Sequence, residues 1–280
     1  MPEAPELEVV KDFLRDRVVG QRVLSAAETR PGVVRALVAD LSDLAGRTLE
    51  DVGRRGKFLV LGFSGERLLV INPMLAEGLQ YCPPSRRRFK RTFFVLLLED
   101  GHELRYVDRK QMGRVYYATP QQLDQVPQLL EQGPDVLDTL SFEEFQERLT
   151  SFLGEIKGVL TRGRGLSGIG NAYADEILSA AGVYPFRKRK SLSEDDLRRI
   201  HRQSRVVVEE AVGLVRERMG DDIDIKPRDF LKVHNRGGGP VPAAAARSAS
   251  SPQLAHYQLL PLLPARNADR QPLRSKSRTI

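Results

Sequence analysis

An α+β fold is predicted for this 280-residue chain by three features met in order: an amphipathic helix at the start, a series of short β-rich runs, and a helical second half. Residues 3–19 carry Leu7, Val10, Leu14 and Val18 at helical spacing, with Gly20 just past the end. The runs Phe58–Phe63, Leu68–Ile71, Phe93–Leu98, Leu104–Val107 and Arg114–Tyr117 are rich in β-branched and aromatic residues. Gly, Pro, Asp or basic turns separate them, which predicts a mainly antiparallel β domain. From about Thr119 the texture changes to a connecting segment and then to helices over 142–152, 155–161, 172–181 and 193–217. Beyond Gly220 the chain is rich in Gly, Pro and Ala, with modest β signals around Leu254–Leu263.

Composition narrows the function classes. With 41% hydrophobic and 29% charged residues the chain is long enough for two domains with sizeable cores. It has neither an apolar run of spanning length nor a secretory leader pattern, so an intracellular protein without a membrane span is expected. The single cysteine, Cys82, excludes an intrachain disulfide and any zinc site built from several thiolates, and suits a small buried hydrophobe. Forty-four Lys and Arg against 37 Asp and Glu favour a polyanionic partner. The excess clusters at Arg86–Arg91, at Arg187–Lys190 and in a tail carrying Arg266, Arg270, Arg274, Lys276 and Arg278, a distribution that points to nucleic acid.

Two local patterns carry chemistry. The chain opens Met1-Pro2-Glu3-Ala4-Pro5-Glu6, so removal of Met1 would leave an N-terminal proline beside a carboxylate. A terminal secondary amine titrates near the α-amino range, roughly 7.7–8.0, and is partly unprotonated at neutral pH. Its addition to a sugar C1′ gives a cationic iminium that acidifies the C2′ proton and opens a route to strand scission, with Glu3 placed to shuttle protons. Met-Pro-Glu is equally a good helix start, with proline where no N–H is needed and acids favoured by the dipole. The second pattern, Gly165-Leu-Ser-Gly-Ile-Gly-Asn-Ala-Tyr-Ala-Asp-Glu176, is a glycine-rich turn between two helices. It suits phosphate binding by backbone N–H groups, a helix N-terminus and the Asn171 amide, or else a structural corner with Asn171 as N-cap.

Pro2-Glu3 with Pro5-Glu6, Gly53-Arg-Arg-Gly-Lys57 before a strand, and Gly168-Ile-Gly-Asn171 running to Glu176 together resemble the formamidopyrimidine-DNA glycosylase and endonuclease VIII (Fpg/Nei) family over about residues 1–236. The resemblance implies an N-terminal antiparallel β-sandwich with an N-terminal helix, then a helical domain with a helix-two-turn-helix motif and a β-hairpin finger. The implied division is a catalytic sandwich at 1–118, a linker at 119–141, the helical DNA-binding domain at 142–222, the finger at 223–264 and a basic tail at 265–280. The implied activity is bifunctional, a glycosylase joined to a β,δ-elimination lyase in base-excision repair. Its partner is double-stranded DNA holding damaged bases or abasic sites, with the protein acting as a monomer, without a cofactor, in the cytoplasm at the nucleoid if the source is bacterial. By position, Pro2 is the nucleophile and Glu3 the proton shuttle. Lys57, counted with the catalytic residues, grips phosphates with Asn171; it also reads as a solvent-facing strand residue. Met74 matches the wedge that fills the space of an everted base, a role that repays part of the cost of unstacking, and reads equally as a core methionine.

The chain also departs from the family. Where Asp-Pro-Arg-Arg-Phe-Gly is common, it has Asp108-Arg109-Lys110-Gln111-Met112-Gly113, so Lys110 faces the orphaned base and Met112 intercalates. Lysine lacks the planar fork of arginine, which predicts relaxed or altered opposite-base preference. The four-cysteine zinc finger is lost, because Val241, Ala244, Leu260 and Leu263 stand at the cysteine positions and no metal is expected. A structural zinc is worth about 10–16 kcal/mol of apparent folding energy. One buried aliphatic side chain yields about 1.5–3 kcal/mol, so a zincless hairpin packed on an apolar centre is predicted, prone to be loose or disordered. Arg247 or His256 stands in for the finger's phosphate-binding arginine. The short Asp221–Lys232 segment leaves little room for a loop capping 8-oxoguanine, which favours oxidised pyrimidines, ring-opened purines or abasic sites. Two other classes compete: a non-catalytic binder of damaged DNA with the same fold, which has little need of Pro2 and Glu3, and an RNA or ribosome-associated module, which the long β domain disfavours.

Overall fold

The computed structural model describes residues 1–74 and 78–234. Helix α1, Ala4–Val18, begins where expected: Pro5 sits in its first turn and the Glu6 carboxylate reaches back to accept the Glu3 N–H at 2.8 Å. It buries Leu7, Val10, Leu14 and Val18.

Among the described residues nine strands follow: β1 Val23–Glu28, β2 Val34–Ala36, β3 Leu49–Arg55, β4 Phe58–Phe63, β5 Arg67–Asn72, β6 Gly78–Cys82, β7 Thr92–Leu98, β8 Glu103–Val107 and β9 Arg114–Ala118. They form a four-stranded sheet in the order β1-β7-β8-β6 and a five-stranded sheet in the order β2-β9-β5-β4-β3. All pairings are antiparallel except β2 with β9. Leu96, Leu98 and Leu104 of one sheet and Leu61, Phe63 and Leu69 of the other share a single core with α1, which is the predicted sandwich.

The five sequence-predicted runs correspond to β4, β5, β7, β8 and β9; the sequence reading missed β1, β2, β3 and β6. In β1 only Val23 and Ala26 are buried, and in β3 only Leu49 and Val52. Each strand has a register shift between these positions, from Val23 to Ser25 and from Leu49 to Asp51. A bulge adds a residue, so the inward positions fall three apart and the alternation that marks a strand is lost.

The second half folds as α2 Phe142–Thr150, α3 Ile156–Thr161, α4 Asn171–Ala181 and α5 Glu194–Met219. Ser141 and Ser193 cap α2 and α5, each hydroxyl accepting the N–H three residues on. Ile156, Leu160, Tyr173, Ile177, Ile200 and Val208 make a second core that also takes in Ala4. The far end of α5 turns to the sandwich instead, giving it Val215 and Met219. The segment expected to be a linker holds a 3-10 helix, Pro120–Gln125, and buries Val126 and Leu129 against Phe58, Val70 and Tyr116. Cys82 is buried, and burial pushes its thiol up. The finger positions Val241, Ala244, Arg247, His256, Leu260 and Leu263, and the basic tail, lie outside the described residues.

Candidate active site and nucleic-acid interface

The two halves meet at the N-terminal segment. The Ala4 N–H donates to the Gly168 carbonyl at 2.9 Å, which brings Pro2 and Glu3, both buried, against the glycine turn that precedes α4. The Glu3 carboxylate accepts the N–H groups of Gly170 at 2.7 Å, Ala172 at 3.0 Å and Tyr173 at 3.2 Å. The anion at the start of α4 is therefore an internal one. The sequence reading gave these N–H groups and the helix dipole to a phosphate; in the structure Glu3 takes them. Asn171 is the first residue of α4 rather than its N-cap, and it is exposed. Gly170 is required by proximity, because a Cβ there would lie 2.5 Å from the Glu3 carboxyl carbon.

Glu6 and Tyr173, which the sequence motifs contain but give no role, and Arg228, which no motif contains, complete this cluster. Glu6, whose proton affinity burial raises, accepts Tyr173 Oη at 3.4 Å and Arg228 Nη2 at 2.9 Å. Arg228 also donates to the Met1 carbonyl at 2.8 Å and comes within 3.8 Å of Glu3 Oε1. Burial, then Arg228 and Lys226, depress the N-terminal amine. The Tyr173 hydroxyl is pushed up by burial and then by Glu6. No sequence signal singles out Arg228, because it lies beyond α5 in a segment without periodicity.

A cleft of about 770 Å³ opens beside the cluster, with Met1, Lys57, Asn72, Met74, Phe152 and Arg162 on its walls. Lys57 Nζ donates to the Ile169 carbonyl at 2.9 Å and lies 3.5 Å from that of Thr161, so it ties the turn between β3 and β4 to the turn before α4. Burial lowers its pKa. Met74 adopts φ +45° on a turn held by the Asn72 side chain, which accepts its N–H at 3.2 Å. This conformation is uncommon for a residue with a Cβ and holds the methionine at the cleft rather than in the core.

Lys110 and Met112 ride on a separate exposed loop after β8. The fully buried Asp108 carboxylate accepts the N–H groups of Lys110 at 3.0 Å, Gln111 at 2.8 Å and Gly113 at 2.6 Å. The loop is thus rigidly based although its tip is exposed. Part of the clustered basic charge is used internally: Arg86 pairs with Asp222 at 3.2 Å, Arg88 pairs with Glu103 at 2.5 Å, and Arg187 pairs with Asp196 at 2.9 Å. Among the described residues no group of His, Cys, Asp and Glu could hold a metal ion, and no helix is long and apolar enough to cross a membrane.

Residues 1–115 match the formamidopyrimidine-DNA glycosylase N-terminal domain and residues 132–220 match the formamidopyrimidine-DNA glycosylase H2TH domain. The formamidopyrimidine-DNA glycosylase of Moorella thermoacetica is 32% identical over 253 residues, covering 86% of this chain and 91% of that protein. The protein of the same name from Symbiobacterium thermophilum is 34% identical over 254 residues, covering 86% and 82%. Among solved structures, a Lactococcus lactis Fpg mutant bound to DNA containing Fapy-dG superposes with a TM-score of 0.71 at 25% identity, covering 76% of this chain and 79% of that one. A complex of Lactococcus lactis Fpg with DNA containing an abasic site superposes at 0.70 and 25%, covering 76% and 80%. With the sandwich, the helix-two-turn-helix and the buried Pro2-Glu3 pair, these likenesses show that the chain belongs to the formamidopyrimidine-DNA glycosylase and endonuclease VIII (Fpg/Nei) family.

Proposed function

We propose that this protein, a DNA glycosylase of base-excision repair by its family, excises damaged bases and then cleaves the abasic site through the amine of Pro2 once Met1 has been removed. The observation that carries this reading is the Glu3 carboxylate, buried beside Pro2 and oriented by three N–H donors at the start of α4. A carboxylate held by three backbone donors keeps one geometry through successive proton transfers, as a shuttle must. In this reading Pro2 attacks C1′, Glu3 delivers and recovers protons, and Lys57 and Asn171 hold flanking phosphates. Met74 enters the vacated stack from the cleft side, and Lys110 and Met112 approach the opposite strand from the loop after β8. Asn171 meets phosphate through its exposed side chain, the backbone N–H groups around it being engaged by Glu3.

The substrates are duplexes with ring-opened purines, oxidised pyrimidines or abasic sites. DNA with Fapy-dG and with an abasic site in the Lactococcus lactis complexes supports two of these. A monomer acting in the bacterial cytoplasm completes the reading, with the sandwich at 1–118 and the helical domain at 142–222 closing on DNA from two sides. Borohydride trapping on an abasic-site duplex, with protein whose N-terminus has been verified by mass spectrometry, tests it. A covalent adduct mapped to Pro2 is the expected result. Absence of an adduct from correctly processed protein that still binds the duplex would favour a non-catalytic binder of damaged DNA.

A further inference from the structure

The Met1–Pro2 peptide reproduces part of the chemistry expected at this site. It puts a carbonyl carbon on the nitrogen that would be the attacking amine of the processed chain. When that amine adds to an abasic-site aldehyde, C1′ takes the place of the Met1 carbonyl carbon, and the oxygen on C1′ takes the place of the Met1 carbonyl oxygen. Both are N–C–O arrangements on the same nitrogen, so the peptide is an internal stand-in for the first covalent adduct. The group that meets this oxygen is Arg228, whose Nη2 donates to it at 2.8 Å.

Arg228 is itself held in place. Nη2 also meets Glu6 Oε1 at 2.9 Å, Nη1 lies 3.8 Å from Glu3 Oε1, and the guanidinium stands over the Tyr173 ring at 5.8 Å from its centroid. Two buried carboxylates and an aromatic face thus aim one cation at a single carbonyl oxygen. Glu6 thus anchors Arg228 with one oxygen while the other accepts the Glu3 N–H at the start of α1.

We propose, on the proline-amine reading above, that Arg228 is a catalytic residue of the lyase reaction, donating a hydrogen bond to the oxygen on C1′ as Pro2 adds to the abasic-site aldehyde. The Pro2 lone pair forms the N–C1′ bond while the C1′=O π pair moves onto oxygen. The ammonium proton is lost to Glu3 and the oxygen takes up a proton from solvent, giving a neutral carbinolamine. A second proton, returned by Glu3, lets that oxygen leave as water while the nitrogen lone pair forms the C=N⁺ bond. Arg228 transfers no proton, since a guanidinium does not deprotonate in proteins. It stabilises the negative charge that develops on oxygen, as a preorganised donor in a water-poor site does. As C1′ becomes tetrahedral its oxygen moves out of the former amide plane, a shift that a five-donor group on a flexible stem follows. The same cation disfavours a second positive charge on the neighbouring amine, as it does, after burial, at the N-terminal amine of the chain as it stands.

The test uses full-length, Met1-free protein under single turnover on an abasic-site duplex, with the borohydride-trapped adduct followed in time. Binding to a tetrahydrofuran-site duplex, which has no aldehyde, is measured alongside. Removing one such donor elsewhere costs about 10²–10³-fold in rate. Arg228→Met is expected to slow adduct formation by roughly that factor with tetrahydrofuran-duplex affinity unchanged, and Arg228→Lys, which keeps a donor and the charge, to recover part of the loss. Thermal melts establish that each variant is folded, and Arg228→Gln replaces Arg228→Met if the latter is not. An adduct on Pro2 that forms at the wild-type rate in the folded variant overturns the role of Arg228 and leaves the proline mechanism standing. A loss of rate fully matched by lost affinity for the tetrahydrofuran duplex also overturns it, because Arg228 would then act in binding. A wild-type adduct mapped to a residue other than Pro2 overturns the parent reading.

Discussion

At the scale of single residues, Glu3 joins the two halves of the protein and serves the proposed chemistry with the same oxygens. Each of its bonds comes from a backbone N–H, so the isosteric amide cannot replace it: one end of a glutamine would point its own NH2 at a donor. Glu3→Gln is therefore expected to lose about 1–3 kcal/mol of stability, the cost of leaving a buried donor unpaired. Base release should fall by about 10²–10⁴-fold, the usual worth of a positioned acid or base. Urea unfolding and single-turnover base release measure the two effects separately. Unchanged base release in a folded variant would remove Glu3 from the mechanism.

At the scale of elements, two carboxylates organise loops and can be probed independently. Asp108 gathers three N–H groups under the loop that carries Lys110 and Met112. Asp108→Ala should cost about 1–3 kcal/mol and weaken binding to lesion duplexes, because the loop tip loses its base; a melt and a binding isotherm read the two. Asp43, in the 3-10 helix Leu41–Leu44, accepts Tyr117 Oη of β9 at 2.5 Å, Arg47 Nη2 at 3.0 Å and Arg67 Nε of β5 at 3.0 Å. The Tyr117 hydrogen bond, then Arg47 and Arg67, lower its pKa to about 2 against an opposing burial effect. With the folded value below the unfolded one, this stabilisation is complete above roughly pH 3.9 and is lost as the pH falls toward 2. Unfolding free energies measured from pH 5 to 2.5 should show a decline that is shallower in Asp43→Asn; parallel curves would refute the assignment.

At the scale of the whole molecule, the halves are joined by a nearly buried ion-pair cluster as well as by Glu3. Arg54 of β3 donates Nε to Glu8 of α1 at 2.7 Å and grips Asp135, before the helical half, with Nη1 at 2.5 Å and Nη2 at 2.7 Å. Breaking a buried pair by removing one partner costs about 3–5 kcal/mol. Both carboxylates keep some solvent contact, so Arg54→Met should fall near the lower end, read as a shifted urea midpoint at unchanged slope. The chain's one cysteine leads to a separate expectation, that strong zinc chelators leave activity on an abasic-site duplex unchanged. Inhibition by chelator together with stoichiometric zinc in the purified protein would overturn the zincless finger.

The sequence by itself determined the order of the fold and the helices of the second half, and singled out Pro2-Glu3 as the candidate pair, because periodicity and short motifs are local signals. Strands β1 and β3 escaped because their bulges space inward residues three apart, and β2 because three residues paired in parallel leave no pattern. Only the tertiary structure decided that the α4 N-terminus serves Glu3, and that Arg228, more than 220 residues along the chain, donates to the Met1 carbonyl and to Glu6. Both contacts depend on the packing of α1 between the two cores. A hydrogen bond between residues so distant in the chain leaves no periodicity or spacing in the sequence from which it could be read.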